Sequence, residues 1–137
     1  MKELLQLTAL ELGAAIQKGE VSIPEATRAA LDAIAARDGT LNSFLTVTGE
    51  QAMARAQELQ AQVGKEDHGP LYGVPMAYKD NICTRGVKTC CASRILGDFQ
   101  PPYDATVVEK LTGAGAVCLG KQNMDEFAMG STSETSF

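Results

Sequence analysis

Three observations predict an α/β fold in which N-terminal helices lead into the first strands of a mixed, helix-covered sheet. Before residue 65, three hydroxyl residues each stand three positions ahead of a Glu or Gln and open an apolar stripe of helical spacing. Beyond it the texture changes to short apolar runs punctuated by Gly and Pro, where strands are expected. Those runs come in the order strand, helix, strand, and the second strand is apolar on both faces, as in a parallel crossover covered by helices.

Thr8-Ala9-Leu10-Glu11, Ser22-Ile23-Pro24-Glu25 and Thr48-Gly49-Glu50-Gln51 mark the three helix starts, because the hydroxyl and the Glu or Gln can satisfy each other's end amides. The first helix is predicted to stop at Gly19. The second carries Ala26, Ala30 and Ile34 on one stripe and is predicted to end near Asp38-Gly39; the third carries Ala52, Ala56, Leu59 and Val63 and ends before Gly64. The polar link from Lys65 to Pro70 divides the chain into a helical segment, 1–65, and a second unit, 66–137. In the second unit Val74 to Lys79 reads as a strand and Asp104 to Leu111 as a helix capped by Asp104 after Pro101-Pro102. Ala116 to Gly120 reads as a strand buried on both faces.

Twelve Lys and Arg against seventeen Asp and Glu give a net charge of −5 over 137 residues, the wrong sign for a surface that neutralises phosphates by itself. No leader pattern and no run of about 20 apolar residues is present, so a cytoplasmic location without membrane contact is expected. The four cysteines, at 83, 90, 91 and 118, have neither Cys-x-x-Cys nor zinc-ligand spacing and read as small buried apolar side chains, Cys118 above all. No metal site is expected.

Lys79 is the most informative residue, since it ends an apolar strand. Alternation puts it on one face with Pro75 and Ala77, while Tyr78 and Asp80 project to the other. If its face is covered, burial lowers the amine's proton affinity and makes it a general base; otherwise it is a lysine reaching solvent at a strand end. Gly115 to Gln122 resembles the start of a phosphate loop, but Gln122 stands where Ser or Thr is needed, and a strand core with flanking turns explains the glycines better. The sole histidine, His68, lies in the polar link, a poor place for a catalytic triad and a good one for a solvated side chain. After the second strand, Asn123 is expected to cap a short helix followed by a polar loop, in the region where open α/β sheets bind ligands. Asp125 and Glu126 are adjacent, face different ways and make a poor acid/base pair.

Gly69-Pro70-Leu71-Tyr72-Gly73-Val74-Pro75, Lys79-Asp80-Asn81-Ile82, Pro102-Tyr103-Asp104-Ala105-Thr106, Gly120-Lys121 and Asn123-Met124-Asp125-Glu126-Phe127-Ala128-Met129-Gly130-Ser131 together resemble the amidase signature family, most closely its branch of glutaminase subunits from tRNA-dependent amidotransferases. The resemblance implies a carbon–nitrogen ligase complex with glutamine as amido donor, and in this component a Ser-cisSer-Lys hydrolase. Lys79 would be the catalytic lysine, and Met129, Gly130 and Ser131 would be substrate-binding. It further implies no cofactor in this chain, with ATP and magnesium at a partner subunit. The partners would be subunits B and C of a heterotrimer that amidates Glu-tRNA(Gln) or Asp-tRNA(Asn) and contacts tRNA mainly through the partner subunit.

The sequence departs from the family where it ends. The Gly-Gly-Ser-Ser-Gly-Gly-Ser-type segment that carries the bridging serine, and the nucleophile beyond it, are not among these 137 residues, and Ser131, Ser133 and Ser136 do not stand in that context. The expectation is the N-terminal part of a glutaminase subunit, inactive in isolation. The alternatives are a short non-catalytic chain that binds or blocks assembly of the amidotransferase, and a fragment of another hydrolase of the family.

Overall fold

The computed structural model describes residues 3–65 and 68–137; the link residues Glu66 and Asp67, at the expected boundary between 1–65 and 66–137, lie outside the described residues. The elements in chain order are α1 (Ala9–Gln17), α2 (Ile23–Leu41), β1 (Phe44–Val47), α3 (Gly49–Gln60), β2 (Pro75–Lys79), α4 (Thr106–Gly113) and β3 (Val117–Gln122), with single 3-10 turns at Leu4–Gln6 and Glu126–Ala128. The three strands form one sheet of order β1-β3-β2. β2 runs parallel to β3 through the crossover that contains α4, as expected, and β1 runs antiparallel on the other edge of β3.

The first two helices begin as their sequences dictate. Thr8 and Ser22 each accept the amide of the residue three positions on, and Glu11 and Glu25 reach back to the cap amides. The third does not: Thr48 sits at the start of α3, but its hydroxyl donates to the Cys118 carbonyl (3.3 Å), tying the helix to β3 instead. α2 runs three residues past Asp38, and Asn42 closes it in the left-handed conformation (φ 51°). Two further expectations are corrected. Asp104 does not cap α4; its carboxylate accepts the Arg85 amide (2.6 Å), and the helix starts at Thr106. Asn123 caps no helix; its side chain donates to the Asn42 carbonyl and accepts the Met124 amide, both at 2.8 Å.

β1 is not expected from the sequence. Phe44-Leu45-Thr46-Val47 is rich in aromatic and β-branched side chains, but it is only four residues long and falls between two helices, where it reads as a connection. Gly120 makes its pairing possible. It has φ 151°, and a Cβ there would lie 2.1 Å from the Thr46 carbonyl oxygen, so only glycine lets β1 and β3 approach.

One face of the sheet is covered by α2 and α3. Ile16, Ile23, Ala26, Ala52, Ala56, Leu59, Val117 and Leu119 form the core there, with the Tyr72 ring closing it and its hydroxyl donating to the Leu59 carbonyl (3.0 Å). Each large side chain in it contributes about 1.5–3 kcal/mol relative to exposure. Of the predicted stripes, Ala26, Ala52, Ala56 and Leu59 are buried, while Ala30, Ile34 and Val63 are partly buried against the same core, so the helices present the sheet with a fixed platform.

Candidate active site

Lys79 is the last residue of β2, and the alternation holds: Tyr78 and Asp80 are buried on one side while the Lys79 side chain is exposed on the other. Of the two placements the sequence leaves open, the amine takes the solvent-reaching one. Among the described residues no hydrogen bond or ion pair engages it. It borders a small pocket of about 200 Å³ that Met124, Asp125, Gly130, Ser131 and Ser133 also line. The structure therefore brings Lys79 together with two of the three predicted substrate-binding residues. The third, Met129, is 77 % exposed and does not line the pocket. Two larger grooves, of about 550 and 590 Å³, flank β1 and α3 and hold none of the predicted residues.

The pocket is built by the 124–135 segment folding back on itself. Asp125, 7 % exposed, accepts the Ser133 amide (2.9 Å), the Thr135 amide (3.5 Å) and the Thr135 hydroxyl (3.2 Å). The Ser133 amide, foremost among these donors, holds the Asp125 carboxyl below the usual carboxylate range. Glu126 turns the other way, as expected, and accepts the Ser93 hydroxyl at 2.5 Å. Gly130 packs against Asp125: a Cβ at 130 would sit 2.4 Å from the carboxylate carbon.

Beneath Lys79 lies a buried polar cluster that sequence reasoning missed. Lys121, fully buried, donates to the Ile82 carbonyl (2.6 Å) and the Thr89 hydroxyl (2.7 Å), and its Nζ is 3.8 Å from Asp80 Oδ1. Burial pulls the Lys121 amine below the usual lysine value, while the Asp80 carboxylate opposes that shift. Asp80 Oδ2 accepts the Cys90 amide (3.0 Å), the Ala92 amide (3.3 Å) and the Cys90 thiol (3.1 Å). Burial, then the bond to Asp80, pushes the Cys90 thiol up. The cluster pins the 80–93 loop to the strand ends and so fixes the backbone from which Lys79 projects.

The remaining sequence candidates have structural places. His68 is not a solvated loop side chain; its ring stacks on Tyr72 (centroids 3.6 Å apart, 9° between planes) and its Nε2 lies 3.1 Å from the Gln62 carbonyl. Of the cysteines only Cys90 is fully buried; Cys83, Cys91 and Cys118 are half-buried, and all four are free thiols.

This geometry has close counterparts. The sequence pattern of the family described as Amidase matches residues 25–137. The chain is 51% identical over 137 residues to the A subunit of the glutamyl-tRNA(Gln) amidotransferase of Lachnoclostridium phytofermentans and 56% identical over 135 residues to that of Moorella thermoacetica. In each case 98% of this chain is aligned. The chain spans 28% of the length of these curated relatives. Among solved structures, the native peptide amidase of Stenotrophomonas maltophilia superposes with a TM-score of 0.82 at 34% identity, covering 89% of this chain and 26% of that one. The A subunit of the glutamyl-tRNA(Gln) amidotransferase of Thermotoga maritima gives 0.69 at 34% identity, covering 99% and 27%. Strand-end lysine, enclosing tail and sheet order thus occur in a chain that belongs to the amidase family.

Proposed function

We propose that this chain supplies the base lysine and one wall of the amide pocket of a glutaminase subunit, in a tRNA-dependent amidotransferase. Glutamine binds between Lys79 and the Met129-Gly130-Ser131 segment. Lys79 is exposed in this chain, and the segments that carry the two serines would cover its face of the sheet; there the neutral amine takes the proton of a bridging serine, which takes that of a nucleophilic serine. That serine attacks the side-chain amide carbon, the released ammonia carries the proton away, and water hydrolyses the acyl-enzyme. Both serines belong to segments outside these 137 residues, so the chain by itself hydrolyses no glutamine. Ammonia passes to subunits B and C, where ATP and magnesium activate Glu-tRNA(Gln) or Asp-tRNA(Asn) and where most tRNA contact is made, in the cytoplasm. Residues 1–65 act as the support, mainly helical with β1 at the sheet edge, and 66–137 as the start of the catalytic core.

The observation that carries this reading is Lys79 lining one small polar pocket with Gly130 and Ser131, in a chain 56% identical to the A subunit of a glutamyl-tRNA(Gln) amidotransferase. The pocket suits a small polar amide better than a large apolar ligand, whose sites run to about 300–1,000 Å³. The test is a hybrid protein in which this chain replaces the matching 28% of the Moorella thermoacetica relative. The hybrid should release ammonia from glutamine and, with its B and C subunits and ATP, amidate Glu-tRNA, while the isolated chain does neither. A folded hybrid without glutaminase activity, or an active isolated chain, would overturn the reading.

A further inference from the structure

We propose that Asp125 is the positioning residue of the pocket that Lys79 lines, its buried carboxylate folding the segment from Gly130 to Thr135 into the wall that receives the amide. This deepens the glutaminase reading and rests on it. Asp125 immediately follows Met124, whose side chain is fully buried, so the start of the segment is anchored. From that anchor one carboxylate gathers three donors eight and ten residues ahead, the amides of Ser133 and Thr135 and the Thr135 hydroxyl. Thr135 in turn accepts the Glu126 amide at its hydroxyl (3.0 Å), which closes the loop on both sides of Asp125. Without these bonds the 129–135 stretch has no regular element and few apolar contacts to hold it, since its residues are exposed. Gly130 completes the arrangement for a steric reason. Any side chain there would push on the Asp125 carboxylate, and the pocket wall would move away from Lys79.

A carboxylate keeps this role because it is an acceptor on every lone pair, whereas an amide of the same shape presents an NH2 to one of the donor groups. The Asp125→Asn variant therefore loosens the wall without removing side-chain volume. In the hybrid protein, Asp125→Asn should raise KM for glutamine about ten-fold while lowering kcat less, the pattern of lost substrate positioning. Gly130→Ala should do the same from the other side of the contact. In parallel, the Ser133 and Thr135 amides of the 137-residue chain should exchange with deuterium about ten-fold faster in Asp125→Asn, while the β3 amides keep their protection. Unchanged exchange at Ser133 and Thr135 would overturn the proposal. So would faster exchange with KM unaltered in both variants, or a uniform loss of β3 protection, which would mark Asp125 as a general fold residue. If the hybrid with Asp125 intact hydrolyses no glutamine, the glutaminase reading fails, and the exchange rates alone decide whether Asp125 orders the segment.

Discussion

Replacing Lys121 by Met removes a cation from the fully buried cluster beneath Lys79 while keeping most of the side chain's volume. At 3.8 Å from Asp80 Oδ1 and an effective dielectric constant of about 20, the attraction between the two charges is about 4 kcal/mol. The variant also leaves the Ile82 carbonyl and the Thr89 hydroxyl without their donor. These effects overlap, and the greater consequence is a buried Asp80 carboxylate whose Oδ1 has no hydrogen-bond donor and now no counter-charge. Breaking a buried pair from one side costs about 3–5 kcal/mol, a large part of the about 5–15 kcal/mol by which a domain is stable. Urea unfolding of the chain followed by circular dichroism should show that loss. Lys121→Met combined with Asp80→Asn should lose less than the two single changes together, by about 1–3 kcal/mol, because the second change removes the stranded charge. A single Lys121→Met variant within about 0.5 kcal/mol of the parent would refute the charge-balance argument.

The β1 edge is tested by Gly120→Ala, which should cost about 2–4 kcal/mol through an unfavourable backbone conformation and a clash with the Thr46 carbonyl; the urea midpoint reads it, and full stability would contradict the observed β1–β3 approach. Alkaline pH should destabilise the fold. Burial raises the Cys90, Cys91 and Cys118 thiols above 9.0 and the Tyr78 hydroxyl above 10.0, so the folded state holds protons that the unfolded chain releases, and stability falls as pH rises from 9.0. Lys121, lowered from 10.5, works in the opposite sense, with stability rising between its folded value and 10.5, but it is one group against four. Urea midpoints from pH about 8 to about 10 should therefore fall, and Cys118→Ala should flatten part of that slope; a rising midpoint would reverse the assignment. Ser22→Ala removes the acceptor of the Glu25 amide at the start of α2 and should cost about 1 kcal/mol by the same measurement.

Much of this architecture is legible in local chemistry. The capping boxes at Thr8 and Ser22 specify where α1 and α2 start because they satisfy orphan amides whatever the tertiary context, and the stripes of α2 and α3 say which faces meet the sheet. Thr48 shows the limit. Its hydroxyl has the right spacing for a cap, but a β3 carbonyl competes for it, and that competitor lies 70 residues away in sequence. The strand face of Lys79 follows from simple alternation. That of Lys121 does not. Counting by twos from Val117 and Leu119 would put Lys121 on their face, but β3 carries one more residue than β2 between the Met76–Cys118 and Tyr78–Lys121 pairs, which turns Lys121 to the side of Tyr78 and Asp80. Such an irregularity depends on the pairing of two strands and leaves no local mark except a glycine at 120. The pocket has the same character: Met129, Gly130 and Ser131 are neighbours in sequence, yet only the latter two line it with Lys79.

A base that serves ammonia release and not the later transfer should be dispensable once ammonia is supplied from outside. In the hybrid protein combined with subunits B and C, amidation of Glu-tRNA can be driven by glutamine or by added ammonium chloride, and Lys79→Ala separates the two. The variant should lose glutamine-driven amidation by about 10²-fold or more, the scale of removing a general base, while ammonium-driven amidation continues at the parent rate. Glutamine-driven amidation that survives Lys79→Ala would contradict the role given to this lysine.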